Sequence, residues 1–271
     1  MEAHSEELTK ILHEFVDLSE SYILTLPEIS AKDGGYEEFC NFAFTKGTKT
    51  LKSSNVLLTN ALLQDVVTLS RSIFENYLSS RYLQDHPEDS HQFIQTPIGV
   101  AFHYYLVEEE RVVDREGKIV GKVVPPHLLR NGKDKRYFYS FYNFLCKYSH
   151  CNFSTLDDYV HGNHFTLTKQ SHPLFIQLIL LFCFTKLYEV TLFREPHKEV
   201  SQAYTSILET SLKVQQTLLK QFEIGCSKVS SPFLIFQTKE MKRMLKAMRK
   251  SLSEPLSDMN KDFLHELEEH Q

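Results

Sequence analysis

The stretch RSIFENYLSSRYLQ, residues 71–84, carries two arginines and a glutamate on a helix that is otherwise suited to burial. On a helical wheel, Arg71 and Glu75 lie one turn apart at the rim of the apolar arc, so they can form an ion pair. Arg81 falls inside that arc, and its guanidinium must find a polar partner or reach water beyond the helix end. The alternative is a rim salt bridge and a snorkelling arginine with no role beyond structure.

A second polar stripe runs along residues 136–150, RYFYSFYNFLCKYSH. Its members recur at steps of three or four residues on one helix face: Arg136, Tyr139, Asn143, Lys147 and His150. A cation, an amide and an imidazole on one face can hold a phosphate and move a proton. The alternative is the solvated face of an amphipathic helix.

Residues 146–164 contain a dense group of side chains that metals accept as ligands. The group comprises Cys146, His150, Cys151, Asp157, Asp158, His161 and His164. Their spacing fits no standard zinc finger, and the chain has no glycine-rich phosphate loop, nucleophile elbow or dinucleotide-binding fingerprint. We therefore expect no metal and no cofactor.

Helical periodicity predicts the elements that must position these residues. It indicates helices over residues 5–26, 36–58 with a weak point at Gly47, 60–84, 88–110, 136–150, 173–195 and 199–222. Valines around DREGK predict a hairpin excursion at about residues 111–126, and residues 151–172 are predicted to be an irregular polar connection. The fold class is then all-α, an antiparallel helical bundle with one small β-hairpin.

The domain organisation follows from a change in polarity near residue 224. Residues 1–224 are expected to form the helical domain, and residues 225–271 a polar C-terminal tail. Within the tail, KEMKRMLKAMRK at 239–250 has an apolar stripe and six basic residues against one acidic residue. A basic amphipathic helix of this kind can bind RNA, an anionic surface or a partner protein, or pack as a terminal helix.

The composition narrows the class of protein. The chain has 271 residues and a formal net charge of −5, so no global basic field indicates nucleic-acid binding. The five cysteines form no C-x-x-C pair, which favours reduced thiols in a cytoplasmic protein. The N-terminus is too polar for a signal peptide, and the apolar run at 173–184 is too short to span a bilayer, which predicts a buried core helix.

Two segments resemble a known family. LSRSIFENYLSSRYL is similar to the R-S-x-x-E helix of the bacterial domain-of-unknown-function family 5677, and YNFLCKYSHCNFSTLDDY is similar to its second signature. The resemblance covers about residues 35–222. It marks the following as family positions: Arg71, Glu75, Tyr142, Ser149 and His150.

That family in turn resembles the HEPN helical superfamily, many of whose members are metal-independent ribonucleases of bacterial defence and toxin systems. Their sites carry an arginine four to six residues before a histidine, usually doubled across a dimer. Here the window before His150 has no arginine, and Lys147 is the nearest cation. The resemblance therefore implies a composite site in which Arg71 replaces the missing arginine.

In that composite site His150 is the general acid or base, and Arg71 and Lys147 stabilise the transition state. Glu75 orients Arg71 or His150. The expected binding residues are Asn143, Tyr142, Ser149, Arg81 and Arg136.

Two main functions remain open from the sequence, besides a structural subunit recruited through the basic C-terminal tail. The first is a HEPN-like effector that acts on RNA as a homodimer, with Arg71 within reach of His150. The second is a non-catalytic module that binds a nucleotide, a peptide or a partner protein in a crevice of the bundle. The second predicts a closed Arg71–Glu75 salt bridge, with His150 buried and satisfied elsewhere. The family resemblance favours the first, and the missing arginine favours the second.

Overall fold

The computed structural model describes residues 2–26, 35–87, 111–113, 119–122, 132–150, 153–167, 173–192, 213, 217 and 220. The helices are α1 (Glu2–Ile23), α2 (Tyr36–Thr59), α3 (Leu63–Asp85), α4 (Gly132–Ser149) and α5 (Pro173–Leu192), with a 3₁₀ helix at Phe153–Tyr159. The strands are β1 (Arg111–Val113), β2 (Ile119–Lys122), β3 (Val160–His161) and β4 (His164–Phe165). The predicted mostly helical fold is confirmed, and so is the hairpin, since β1 pairs antiparallel with β2.

Two details of the structure differ from the sequence prediction, and a further part of the prediction is not tested. Helix α2 runs through Gly47 without a break. The connection predicted to be irregular contains the 3₁₀ helix and a second antiparallel pair, β3 with β4. The predicted helix at 88–110, most of the one at 199–222, and the tail with its basic helix lie outside the described residues.

Helix α5 is longer than the apolar run that predicted it. Among the described residues, Pro173–Thr191 is long and apolar enough to cross a bilayer by length and composition, but 94% of it is buried inside the fold. The prediction that the run was too short was therefore wrong, whereas the prediction of a buried core helix is confirmed. A buried apolar helix of this length is common in the core of a large domain.

The chain divides into two compact units, Met1–Ile11 with Glu195–Gln271, and Leu12–Arg194. In the first unit, the described residues are helical, and Leu8 is fully buried. In the second, α3 packs against α2, α4 and α5, and α2 packs against α5. The predicted boundary at residue 224 is not tested by this division, and it stays a prediction.

Aromatic side chains fill the core of the second unit. Phe15 meets Phe184 and Tyr188 edge-on, with ring centroids 5.4 and 5.0 Å apart. On the other side of α5, Phe182 meets Phe141 at 5.0 Å. Such edge-to-face pairs each add about 0.5–1.5 kcal/mol beyond the burial of their area. Helix α5 is therefore the central element against which the others are aligned.

A tight turn sets the start of α3. Ala61 has a φ of 60°, a left-handed conformation that non-glycine residues rarely adopt, and Asn60 donates from its side-chain amide to the Val56 carbonyl at 2.8 Å. Helix α3 then begins at Leu63. The turn reverses the chain within three residues, so α2 and α3 pack directly against each other.

Gly47 lies where α2 closely approaches α5. A Cβ atom placed on Gly47 would overlap Leu187 Cδ2, and Leu187 is fully buried. The absence of a side chain at Gly47 therefore allows the two helices to approach.

Gly47→Ala is expected to destabilise the fold by about 1 kcal/mol. The clash costs about 1–3 kcal/mol, and the better helix propensity of alanine returns about 1 kcal/mol. In a Leu187→Ala background the clash is gone, so the same change should become stabilising. Urea denaturation of the four proteins measures both effects, and a stabilising Gly47→Ala in the wild-type background would contradict the close approach.

Candidate functional site

Helices α3 and α4 cross antiparallel, and this crossing positions the candidate site. The Thr68 hydroxyl donates to the Tyr148 carbonyl at 3.3 Å, and further along α3 the Phe74 ring meets Phe141 at 4.9 Å. As the numbering rises along α3, it falls along α4. The face of α3 that carries Arg71 is therefore opposed by the middle turns of α4.

Arg71, Glu75 and Tyr142 form a closed ring of hydrogen bonds at this crossing, which we call the Arg71 cluster. Arg71 Nε donates to Glu75 Oε1 at 2.9 Å and to the Tyr142 hydroxyl at 3.0 Å. The Tyr142 hydroxyl donates in turn to Glu75 Oε1 at 2.7 Å. The guanidinium also lies 5.1 Å from the centroid of the Tyr142 ring, within cation–π range.

One edge of the Arg71 cluster is left open. The hydrogen bonds use Arg71 Nε and Glu75 Oε1, and within the described part of the chain neither the Arg71 Nη atoms nor Glu75 Oε2 forms a hydrogen bond. The two side chains keep 26% and 27% of their surface exposed. A guanidinium has five N–H donors and a carboxylate has about four acceptor sites, so these hydrogen bonds leave most of their bonding capacity unused.

The electrostatics of the cluster keep its groups in fixed protonation states. Burial and the hydrogen bond to Glu75 raise the pKa of Tyr142, so the phenol stays protonated. Partial burial is the largest single effect on Arg71 and lowers its pKa, but the combined effects of its neighbours, with Glu75 the strongest, outweigh burial and leave the pKa raised. Burial also raises the pKa of the Cys146 thiol, although Arg71 opposes the effect. None of these three groups titrates near neutral pH, and none is an activated base or nucleophile.

Buried tyrosines predict a loss of stability in alkali. Burial raises the pKa of Tyr188 to about 12, and burial also raises those of Tyr142 and Tyr148 above the ordinary value of 10.0. A group whose pKa is raised by folding contributes stability below its unfolded pKa, and this contribution falls as the pH rises above that value. The urea midpoint should therefore decrease above about pH 10.

Tyr188→Phe supplies the control for this pH dependence. The buried Tyr188 hydroxyl has no hydrogen-bond partner in the described structure, so its removal should cost little stability near neutral pH. The variant should lose less stability than the wild type between pH 10 and 12. Parallel pH profiles for the two proteins would show that Tyr188 does not contribute to the alkaline loss.

The structure places the other predicted catalytic residues apart from the Arg71 cluster. The binding-module hypothesis predicted a buried His150, and this prediction is wrong, because His150 is exposed immediately after α4 ends at Ser149. It is eight residues from Tyr142, about 12 Å along the helix axis. Among the described residues, no hydrogen bond or ion pair joins His150 to Arg71. Lys147 is half-buried in the last turn of α4. The composite catalytic site stays a prediction, and the structure gives it no direct contact.

The predicted binding residues divide in the same way. Tyr142 belongs to the Arg71 cluster. Asn143 is the next residue along α4 and is exposed, and the Ser149 hydroxyl donates back to the Leu145 carbonyl at 3.4 Å. The backbone of Arg136 belongs to α4, but its side chain lies outside the described residues.

Arg81 belongs to a second polar cluster, on the face of α3 that meets α5. Arg81 Nη1 donates to the Tyr77 hydroxyl at 2.9 Å, and on α5 Lys186 Nζ donates to Glu189 Oε2 at 3.0 Å. Burial lowers the pKa of Lys186, but Glu189 and Tyr77 together outweigh this effect and keep the pKa raised, so the amine is an ammonium. Sequence reasoning missed this pair, although a lysine and a glutamate in the most apolar helix were a signal.

No group of three or more potential metal ligands comes together within the described ranges. The second hairpin does place two exposed histidines opposite each other, His161 on β3 and His164 on β4. Two imidazoles are fewer than the three or four protein ligands of a zinc site. The Arg71 cluster is therefore the better candidate for a functional site.

In comparisons of this chain with known proteins, a protein-family model matches one segment of the chain. No curated protein and no solved structure matches it. A sequence match covers residues 37–113, which extend from α2 through α3 to β1 and include Arg71 and Glu75. The model that matches residues 37–113 is that of a family of unknown function, DUF5677.

Proposed function

We propose that this chain is a non-catalytic helical binding module whose ligand site is the open edge of the Arg71 cluster. The observation that carries the proposal is that only one of the three nitrogen atoms of the Arg71 guanidinium, Nε, forms hydrogen bonds within the described residues. Its Nε is held by Glu75 and Tyr142, whereas both Nη atoms lack a partner among the described residues and the side chain is part-exposed.

A purely structural ion pair would use its donors differently. Arginine and carboxylate commonly pair through two parallel N–H···O bonds, which use both carboxylate oxygens. Here Arg71 and Glu75 share a single direct hydrogen bond. The Tyr142 hydroxyl on α4 bonds to the same two atoms, Arg71 Nε and Glu75 Oε1. The geometry fixes the guanidinium and leaves its outer donors available. Protein groups that hold an arginine in this way reduce the entropy lost when a ligand binds.

The protonation states favour binding over catalysis. A general base or acid works best with a pKa near the operating pH. In the cluster, the raised pKa values of Tyr142, Arg71 and Cys146 move these groups further from neutrality. The site can therefore hold and orient a ligand, but it lacks a group that would readily exchange a proton with it.

Uridine 5′-monophosphate is a suitable first probe, because it carries both a hydrogen-bonding base edge and an anionic phosphate. We expect it to bind wild-type protein and to bind Arg71→Gln at least about tenfold more weakly, the effect of losing one charged hydrogen bond. Arg71→Lys should also bind weakly, since lysine keeps the charge but loses the planar fork. Isothermal titration calorimetry measures all three.

The matched control is Lys52→Gln. Lys52 also forms an ion pair, with Glu20, but both side chains are about half exposed and lie at a surface position outside the cluster. This variant should bind the nucleotide as the wild type does. Equal binding by wild type and Arg71→Gln, with both folded by circular dichroism, would overturn the proposed site.

A second candidate function is a HEPN-like effector of a bacterial defence or toxin system, a metal-independent endoribonuclease acting as a homodimer. The observation that favours it is the position of His150, which is exposed at the end of the helix that carries Tyr142, with Lys147 in the turn before it. An exposed imidazole beside a cation is chemically able to transfer a proton at an RNA phosphate.

RNA cleavage separates the two functions. Wild type, His150→Ala and Arg71→Ala would each be incubated with total RNA in a chelating buffer, and their masses would be measured by light scattering. Cleavage by a dimeric wild type that both substitutions abolish would establish the ribonuclease. The binding module predicts intact RNA in every reaction.

A further inference from the structure

We propose that the open edge of the Arg71 cluster recognises a neutral, planar amide edge, in which a carbonyl oxygen stands beside an N–H group. A uracil- or guanine-type base carries this edge, and so does a primary carboxamide. The inference rests on the proposed binding function and specifies the chemistry of the ligand.

The charge of the cluster argues against a simple anion. Arg71 contributes one positive charge and Glu75 one negative charge, and they lie 2.9 Å apart. Tyr142 and Cys146 are neutral, because burial raises the pKa of both. A phosphate or carboxylate that approaches the Arg71 Nη atoms would also approach the Glu75 carboxylate. The attraction and the repulsion largely cancel, which leaves hydrogen bonding as the main source of affinity.

The available hydrogen-bonding groups form a donor–acceptor pair. Arg71 Nη presents N–H donors, and Glu75 Oε2 presents an acceptor. The direct bond between Nε and Oε1 holds the guanidinium and the carboxylate that carry these two groups against each other. A carbonyl oxygen can accept from the first while the adjacent N–H donates to the second, so an amide edge satisfies both. A bare anion satisfies only the arginine and leaves Oε2 facing a like charge.

The surrounding structure holds this pair in register. Arg71 and Glu75 are four residues apart on α3, so their spacing is fixed by the helix. Tyr142 is almost fully buried and bonds to both of them from α4. Because two helices hold the site, its groups cannot move to adapt to a different ligand. A ligand that lacks the N–H donor leaves the Glu75 acceptor without a hydrogen bond, so the site should discriminate strongly against it.

Matched ligand pairs test the inference on the unmodified protein. Uridine is compared with 3-methyluridine, which lacks only the base N–H, and propionamide with N,N-dimethylpropionamide, which lacks both amide N–H groups. Inorganic phosphate and acetate form the anion arm. The readout is the ¹H–¹⁵N resonance of Arg71 Nε, assigned by its loss in Arg71→Lys. We expect uridine or propionamide to shift this resonance, and each methylated analogue to bind at least about tenfold more weakly.

Uridine and propionamide, the two parent ligands, distinguish a nucleobase from a carboxamide as the group that carries the amide edge. Tighter binding of uridine identifies a nucleobase, and tighter binding of propionamide identifies a carboxamide, and both results support the inference. Equal binding of a parent and its methylated analogue overturns it, because the donor then has no role. A shift with phosphate or acetate and none with uridine or propionamide also overturns it but leaves the proposed binding site intact. If no probe shifts Arg71 Nε, both the inference and the proposed function fail.

Discussion

Glu189→Ala is expected to destabilise the fold by about 3–5 kcal/mol, the usual cost of leaving a buried charge without its partner. Lys186 is 8% exposed, and its ammonium donates to Glu189. Helix α5 is mostly apolar and carries no other charged residue, so removal of the carboxylate leaves the ammonium in a poorly solvated position. The variant should show a large loss in the free energy of unfolding measured by urea denaturation.

Lys186→Met is the matched substitution, and we expect it to leave the free energy of unfolding unchanged or to raise it. Methionine fills a similar volume, and Glu189 is 27% exposed, so the remaining carboxylate can be hydrated. Replacement of a buried ion pair by apolar side chains is often neutral or stabilising. In the Lys186→Met background, Glu189→Ala should cost less than about 1 kcal/mol. Similar losses for Glu189→Ala in the two backgrounds would refute the account of this pair.

Glu75→Ala is expected to cost about 2–3 kcal/mol. Glu75 Oε1 accepts from both Arg71 Nε and the Tyr142 hydroxyl, so its removal leaves a part-buried guanidinium and a buried phenol without their shared acceptor. Loss of a partner from a buried polar group costs about 1–3 kcal/mol, and more when the group is charged. Tyr142→Phe should cost less, about 1 kcal/mol, because Arg71 and Glu75 then keep their direct bond.

Glu20→Ala is the control for this comparison. Glu20 pairs with Lys52, and both side chains are about half exposed. Exposed pairs contribute about 0–1 kcal/mol, so this substitution should leave the unfolding free energy nearly unchanged. Equal losses for Glu20→Ala and Glu75→Ala would mean that the Arg71 cluster is an ordinary surface ion pair.

The sequence predicted the helices that carry the site and one of its contacts. Four-residue spacing on a helix is sufficient to pair Arg71 with Glu75, because the geometry is local. Tyr142 lies 71 residues from Arg71, and its role depends on how α3 crosses α4. No local sequence pattern predicts how two helices cross. The sequence could therefore place Arg71 at the rim of the apolar face, but it could not predict which of the Arg71 N–H donors lack a hydrogen bond.

Two features of the fold were missed for related reasons. The pairing of β3 with β4 involves two residues on each strand, too few for an alternating pattern to emerge from a polar segment. Gly47 was interpreted as a weak point in α2, since glycine lowers helix propensity. Its actual role depends on Leu187, 140 residues away on α5, and packing of this kind overrides propensity.

The most direct test of the central claim is the exchange of the Arg71 side-chain protons with water. The account predicts that the Nε proton, which bonds to Glu75 and Tyr142, exchanges slowly, whereas the Nη protons exchange rapidly in the free protein. Addition of uridine 5′-monophosphate should slow the Nη exchange and leave Nε protected. Nη protons that exchange slowly without ligand, or that are unaffected by the nucleotide, would contradict an open edge that binds it.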